Sequence, residues 1–221
     1  MKKIIPLFLF YYLPFIIQAQ TADKLFISMP ESMVMTLTEL NRLELVELYK
    51  SSLPAVVENQ LGDSCHLIRM TDDYLQIQEG TSSLEIIVLP MANDSKVIGL
   101  IRTVCAPICD SNLAFYTVNW RQINTNLFIT PAGKEQFIKD GINLDEQKVR
   151  NALIPLDISL MQFRYNADTQ ELLQYYNTPQ YLSIDDREKA TPYLKDTPIR
   201  FRWNMSRYEI QDDKINAQSR H

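Results

Sequence analysis

The sequence predicts an α+β fold in which an N-terminal helical segment precedes an antiparallel β-meander. Three observations support this prediction. Apolar residues recur at helical spacing between Leu37 and Lys50, and after Gly62 the apolar period changes to two, which is typical of strands. Short clusters of Asp, Asn and Ser, which favour turns, then separate the successive apolar runs.

The first half of the predicted fold covers residues 20–129. Residues 29–32 are a predicted helix start, and the clearest predicted helix covers residues 37–50. The polar side chains of this helix are expected mostly on its outer face: Glu39, Arg42, Glu44 and Glu47. A further short helical piece is predicted over residues 54–61, ended by Gly62. Five antiparallel strands follow at residues 65–70, 74–79, 83–91, 96–104 and 113–120. The third and fourth are the most apolar, so we expect them at the centre of the sheet.

The second half begins with a predicted linker over residues 130–154, which Pro131, Gly133 and Gly141 punctuate and which contains a short helix. A smaller α+β part is predicted over residues 155–221. It contains strands at residues 157–165 and 170–177, a short helix beginning at Ser183, and a last strand region at residues 198–210. Because a helix again precedes strands, we expect a repeated helix-plus-sheet layout resembling that of β-lactamase-inhibitor-like proteins.

The N-terminus predicts export. Lys2 and Lys3 precede an apolar run over residues 4–17, and Ala19 follows, which is the pattern of a secretory signal peptide over residues 1–19. An uncleaved anchor is the alternative, although the run is shorter than the roughly 20 residues of a membrane-spanning helix. We therefore expect a periplasmic or extracellular protein with no permanent membrane span. Removing the two lysines changes the formal charge from -5 to -7, which is a poor match for nucleic acid.

Rare residue types exclude several chemistries. The chain has five glycines, and the nearest two, Gly133 and Gly141, are eight residues apart, so no glycine-rich phosphate-binding loop is present. Of the two histidines, His66 is internal and His221 is the last residue, which argues against a catalytic triad and against a histidine-rich metal site. On this basis we predict no catalytic residues, no metal ligands and no cofactor, and we place His66 on a strand surface.

The three cysteines predict one structural bridge. In an oxidising compartment, Cys105 and Cys109 are the closest pair, and a turn over the three residues between them would bring them together. Cys65 is then left over. Free thiols at all three positions, or a redox-active pair, are the alternatives; the three-residue spacer differs from the two-residue spacer of Cys-x-x-Cys motifs.

Carboxylates are the remaining candidates for chemistry. The adjacent acidic pairs Asp72–Asp73, Asp185–Asp186 and Asp212–Asp213 are expected to form turns, a helix start and a polar tail, because a complete calcium-binding loop is missing. A glycosidase would need two carboxyl groups at a suitable separation. The sequence does not rank the candidates for that role: Glu39, Glu44, Glu47, Glu58, Asp72 and Asp73.

Residues 200–203 alternate basic and aromatic side chains. On a strand, Arg200 and Arg202 share one face, while Phe201 and Trp203 share the other. Opposite faces prevent the arginines and the aromatics from contacting one nucleic acid strand together. We therefore expect an amphipathic strand with its aromatic face in the core, and no nucleic-acid partner.

Several short segments resemble those of a known family. They are FISMPES at residues 26–32, NRLELV at 41–46, TDDYL at 71–75, VIGLI at 97–101 and TVCAPICDS at 103–111, with FY at 115–116 and NW at 119–120 behind them. In this order they resemble the domain of unknown function 3256 family, which consists of small secreted proteins of the Bacteroidales. The resemblance is best over residues 25–120 and looser over residues 157–209. It implies an envelope or periplasmic protein, and it implies no site residue.

Export and the missing catalytic residues together predict a non-enzymatic binding module of the cell envelope. Its expected partner is a protein, peptide or glycan, held by a sheet face or by exposed loops. The tyrosines clustered at Tyr175, Tyr176 and Tyr181 suit such contacts. One alternative is a carboxylate-dependent hydrolase acting on an envelope polymer, and another is a subunit with purely structural duties.

Overall fold

The protein consists of three layers, which a computed structural model describes for residues 20–211. Helices α1 (Ala22–Ile27) and α2 (Glu39–Lys50) cover one face of a seven-stranded antiparallel sheet, and a four-stranded antiparallel sheet covers part of the opposite face. The predicted α+β class is therefore confirmed. No helix within residues 20–211 is long and apolar enough to cross a membrane.

The first sheet is a simple meander in which each strand pairs with the next one along the chain. Its strands are β1 (Val56–Glu58), β2 (Ser64–Met70), β3 (Tyr74–Glu79), β4 (Ser82–Pro90), β5 (Lys96–Cys105), β6 (Cys109–Thr117) and β7 (Gln122–Ile123). The apolar β4 and β5 lie at its centre, as the sequence predicts. The helix predicted over residues 54–61 is wrong, because this segment forms β1 and then a turn in which the side-chain oxygen of Asn59 accepts from the amides of Leu61 and Asp63.

Helix α2 begins at a capping box. The Thr38 hydroxyl accepts from the amide of Asn41, and the Asn41 side chain accepts in return from the amide of Thr38, both at 3.1 Å. This reciprocal pair satisfies amides that the first helical turn leaves without partners. The helix then buries Leu45 and Val46 against the sheet.

The expectation that Arg42 lies on the outer face of α2 is wrong. Its side chain is 1% exposed, and its guanidinium donates to the carbonyls of Ile27, Met29 and Leu37. These carbonyls lie at the end of α1 and in the connection to α2, where no helical amide follows to bind them. Arg42 therefore fastens this connection from inside the helical layer.

The second half is α3 (Gln147–Leu153), β8 (Met161–Asn166), β9 (Glu171–Tyr176), α4 (Thr178–Tyr181), α5 (Ile184–Ala190), β10 (Ile199–Trp203) and β11 (Tyr208–Ile210). Its sheet has the order β11-β10-β9-β8. The predicted last strand region over residues 198–210 contains two strands that form a hairpin, and α4 and α5 separate it from the hairpin of β8 and β9. Ser183 caps α5 by accepting from the amide of Asp186, which confirms the predicted helix start.

The two sheets share one apolar core. Phe115 of β6 is completely buried, and its ring lies 4.9 Å from that of Phe128 and 6.4 Å from that of Tyr208. The segment after β7 is packed into the same core, because the side chain of Gln174 on β9 exchanges two hydrogen bonds with the backbone of Ala132, at 2.8 and 2.9 Å. The second sheet is therefore fixed on the first.

Candidate functional site

Strand β8 crosses the strands of the first sheet instead of running along them. Near its start, the amide of Met161 donates to Asp110 of β6 at 2.9 Å. Further on, the amide of Tyr165 donates to Glu85 of β4 at 3.1 Å. In the turn after β8, the carboxylate of Asp168 binds Arg69 of β2. The edge of the second sheet therefore passes over β6, then β4, then β2, which is the geometry of an orthogonal packing.

A row of polar side chains lies on the same face of the first sheet. Five residues on consecutive strands are direct cross-strand neighbours, in the order His66, Gln78, Ser83, Thr103 and Ser111. Since neighbouring strands lie about 4.8 Å apart, this polar row is roughly 19 Å long. The hydroxyl oxygens of Thr103 and Ser111 lie 2.7 Å apart and share a hydrogen bond.

The face becomes apolar as it passes beneath the second sheet. Gln76 on β3 lies opposite Glu85 on β4, and each is two residues along its strand from the polar row. Two residues further, Tyr74 lies opposite Ile87, which enters the core between the sheets. The polar row thus lies outside the apolar core between the sheets, and four of its five members are at least partly exposed, while Thr103 is buried.

The polar row and β8 together form a groove. Its enclosed part has a volume of about 300 Å³, at the lower end of the sizes typical of ligand pockets. The floor is formed by Gln76, Gln78, Ser83, Glu85 and Thr103, and the wall by Gln162, Arg164 and Tyr165. We call this feature, extended by His66 and Ser111 at the two ends of the polar row, the cross-strand groove.

Glu85 is the one carboxylate among the described residues that line the enclosed part of the groove. Its side chain is 3% exposed, and one of its oxygens accepts from the Tyr74 hydroxyl at 2.7 Å and from the Tyr165 amide. Burial raises the pKa of Glu85, while the hydrogen bonds from Tyr74 and Tyr165 and the charge of Arg164 oppose that rise. Burial also raises the pKa of Tyr165 to about 12, so its hydroxyl keeps its proton.

We expect Glu85→Gln to change how stability depends on pH. Because the pKa of Glu85 is raised in the folded protein, folding favours its protonated form. Its ionisation therefore destabilises the folded protein above the folded-state pKa, and this cost falls as the pH approaches the unfolded-state value of about 4.3. A glutamine keeps an acceptor for Tyr74 and Tyr165 without the charge. Urea unfolding should show the variant gaining stability over the wild type at pH 8, with the difference shrinking towards pH 4.5.

The control is built into the comparison, because only the difference in stability between Glu85→Gln and the wild type is interpreted. Burial raises the pKa of Asp23, but its hydrogen bonds, first among them that from Lys50, outweigh burial and lower the pKa overall. The contact with Arg69 lowers the pKa of Asp168. Both carboxylates therefore lose stabilisation at low pH. These contributions occur in both proteins and cancel. A constant difference from pH 8 to pH 4.5 would mean that Glu85 does not titrate as described.

The disulfide candidates lie at one end of the groove. Cys105 and Cys109 face each other at the end of β5 and β6, with their sulfur atoms 1.99 Å apart. Cys105 lines the groove, and the side chain of Asn177 donates to the carbonyl of Cys109 at 2.8 Å. Cys65 is buried, and burial raises the pKa of its thiol to about 12, so it is a weak nucleophile. The Cys105–Cys109 bridge therefore links β5 to β6 beside Asp110, which binds the start of β8.

Comparison with known proteins places this architecture in a family. The family model described as protein of unknown function (DUF3256) matches residues 15–208. The chain belongs to this family. A solved structure of a domain of an uncharacterized protein from Porphyromonas gingivalis W83 is similar to it, with a TM-score of 0.74 and 23% sequence identity, covering 86% of this chain and 98% of that one. At this identity the likeness establishes the fold alone. No curated protein matches the chain.

The acidic pairs of this DUF3256 protein lie away from the cross-strand groove. Asp185 and Asp186 are in the first turn of α5, and Asp212–Asp213 lies outside the described residues. Asp72 and Asp73 lie between β2 and β3, at a second cavity of about 640 Å³ that is also lined by Lys96, Arg202 and Trp203. Of the six carboxylates that the sequence leaves unranked, none lines the enclosed part of the groove. Within residues 20–211, no cluster of three or more His, Cys, Asp or Glu side chains could hold a metal ion.

The other sequence candidates take separate places in the DUF3256 fold. His66 is exposed on β2, as predicted, at the far end of the polar row. Phe201 is buried between the sheets while Arg200 and Arg202 are exposed, which confirms the amphipathic strand. The clustered tyrosines separate: Tyr175 contacts Arg164, Tyr176 stacks on Phe137, and Tyr181 is exposed.

Sequence reasoning missed the groove of this DUF3256 protein, although part of its signal is present. On β3, Gln76 and Gln78 alternate with buried apolar residues. On β4, Ser83 and Glu85 alternate with buried apolar residues in the same way. Such alternation assigns each pair to one face. The strand register places these four residues in adjacent rows, and β8 forms the wall beside them. Both the register and the position of β8 depend on contacts between segments that are distant in the sequence.

Proposed function

We propose that the protein is an exported, non-catalytic binding module of the cell envelope that holds an extended glycan in the cross-strand groove. The polar row is the observation that carries this proposal. It presents the amide of Gln78 and the hydroxyl of Ser83 side by side on a groove floor, next to the buried Thr103. Such groups both donate and accept hydrogen bonds, which matches the many hydroxyl groups of a sugar polymer.

A glycan suits this groove better than a peptide. An extended peptide binds most readily by adding a strand to an open sheet edge, and β8 is the edge that faces the groove. Its amides at Met161 and Tyr165 are already bound by the side chains of Asp110 and Glu85. Such inward-pointing charges obstruct strand addition. Side-chain recognition on the floor is therefore the more favourable mode.

The groove also favours binding over hydrolysis. Glycosidases of the common type place two carboxyl groups about 5–9.5 Å apart across the scissile bond. Among the described residues, Glu85 is the single carboxylate lining the enclosed groove, and its hydrogen bonds to Tyr74 and Tyr165 hold it in the packing between the sheets. The hydrolase alternative would need a second acid that these residues do not supply there.

Export is part of the same proposal. The apolar run of residues 4–17 supports a signal peptide, and the paired sulfur atoms of Cys105 and Cys109 suit an oxidising compartment. An envelope location would expose the groove to surface and cell-wall polysaccharides.

Binding measurements test the proposal. Calorimetry with the purified protein and a panel of peptidoglycan, capsular and lipopolysaccharide fragments should reveal at least one saturable ligand. The double variant Gln78→Ala/Ser83→Ala should weaken that ligand roughly tenfold, because about two hydrogen bonds are lost. The matched control, Gln122→Ala/Ser95→Ala, removes the same groups at positions outside the groove lining and should bind normally.

Other outcomes would redirect the assignment. Equal weakening in both double variants, or no saturable ligand in the panel, would contradict a glycan site in the groove. Release of reducing ends from a fragment, lost in Glu85→Gln, would support the hydrolase instead. Saturable capture of an envelope protein, unaffected by glycan fragments, would favour the protein-binding alternative.

A further inference from the structure

We propose that the cross-strand groove selects glycans that carry anionic groups, and that Arg164 is the residue that makes this selection. This inference rests on the proposed glycan-binding function and adds the chemical class of the ligand. Arg164 lies in the middle of β8, where its side chain is exposed and lines the groove. It is the cation of the groove wall.

Neutral groups hold the Arg164 side chain in place. The carbon at the centre of its guanidinium lies 5.9 Å from the centre of the Tyr175 ring, within the range of a cation–π contact. With its amide oxygen turned towards Arg164, Gln162 accepts from Nε at 2.9 Å and from Nη2 at 3.2 Å. Holding the guanidinium in this way lowers the entropy that a ligand contact would cost.

No acidic side chain among residues 20–211 forms an ion pair with Arg164 within 4 Å. Two other arginines of this region differ. Arg69 binds Asp168 across the end of β8, and Arg202 lies 3.9 Å from Glu171. The carboxylate nearest in the groove, Glu85, is engaged with Tyr74 and Tyr165. Arg164 is thus positioned beside the polar row with its charge uncompensated by direct contact.

An oxyanion is the ligand group that this arrangement recognises. A guanidinium binds a carboxylate, sulfate or phosphate through two parallel hydrogen bonds, and these bonds are stronger than those between neutral groups. The net charge of the chain is negative, but charges beyond about 8 Å are largely screened at physiological ionic strength. Inside the groove, Glu85 is a nearby carboxylate, but it is buried, whereas Arg164 is exposed. The charge that a ligand contacts directly is therefore that of Arg164.

Matched polymer pairs test the inference. Dextran and dextran sulfate differ in sulfate groups, and highly methyl-esterified pectin and polygalacturonate differ in free carboxylates. The purified protein should bind the charged member of at least one pair roughly tenfold more tightly than the neutral member, as expected for one charge-assisted contact. Which pair shows the preference identifies the anionic group.

The variants assign the preference to its residue. Arg164→Gln should reduce the preference for the charged member to less than about twofold, and Arg164→Lys should retain part of that preference. Arg200→Gln is the control, because Arg200 is exposed on β10 and does not line the groove. Thermal unfolding of each variant checks that the fold is intact.

The failures are distinguishable. Equal binding of charged and neutral members, sensitive to Gln78→Ala/Ser83→Ala but not to Arg164→Gln, would overturn the anionic selectivity and leave the glycan site standing. A preference lost equally in Arg164→Gln and Arg200→Gln would mean a diffuse charge effect and would also overturn it. No binding of any polymer would contradict both this inference and the glycan-binding function.

Discussion

Replacing Arg42 by methionine should lower the free energy of unfolding by about 3–5 kcal/mol, because two buried carbonyls and one partly buried carbonyl lose their donor. The guanidinium binds the carbonyls of Ile27, Met29 and Leu37 at distances from 2.7 to 3.3 Å. A methionine fills a similar volume but donates nothing, so α1 and its connection lose their attachment to α2. Urea unfolding followed by tryptophan fluorescence measures the change.

Arg102→Met is the matched control for this prediction. Arg102 is half-buried and donates to a single carbonyl, that of Met33, at 2.8 Å. We expect a loss of about 1 kcal/mol, the typical contribution of one hydrogen bond. Similar losses for the two variants would show that the buried network around Arg42 is not a special stabilising feature.

Replacing Phe115 by alanine should lower the free energy of unfolding by about 3–5 kcal/mol, as is typical for a large buried aromatic side chain. Phe115 belongs to the first sheet, and its ring contacts Phe128 and Tyr208 in the core against the second sheet. The cavity would therefore form where the two sheets meet. Because the core is shared, far-UV and near-UV circular dichroism should still report one transition at a lower midpoint.

Tyr181→Ala removes an aromatic ring of similar size from an exposed position, and it should change stability by less than about 0.5 kcal/mol. The decisive observation is the number of unfolding transitions that circular dichroism detects. Two separate transitions in the wild type or in Phe115→Ala would mean that residues 20–129 and 155–211 unfold as independent domains. A single transition in both would establish one cooperative unit.

Local patterns predicted several elements correctly. The spacing of apolar residues located α2, and the alternation of period two located β3 to β6. The start of α5 at Ser183 was also predicted, because a hydroxyl at the start of a helix can bind an amide of the first turn. The paired positions of Cys105 and Cys109 follow from a short turn between two strands. Each of these features depends on residues only a few positions apart.

Features that depend on distant residues were missed or predicted wrongly. Arg42 looks like a surface residue in an amphipathic pattern, yet carbonyls from the preceding connection surround it. Residues 54–61 contain helix-compatible residues, but pairing with β2 draws part of them into β1. A polar residue can be buried wherever its hydrogen bonds are satisfied, and local sequence does not specify the partners.

By itself, the sequence determined where α2 and β3 to β6 lie and which residues of each strand share a face, because these features follow from backbone geometry with a short period. It therefore determined that Gln76 and Gln78 face one way on β3, and that Ser83 and Glu85 share a face on β4. Only the tertiary structure decided that these faces coincide and that part of the common face is left open. The reason is that β8 is held across the first sheet by Asp110, Glu85 and Arg69. These contacts join segments that are far apart along the chain. They decide which part of the face becomes the covered apolar core and which part becomes the cross-strand groove.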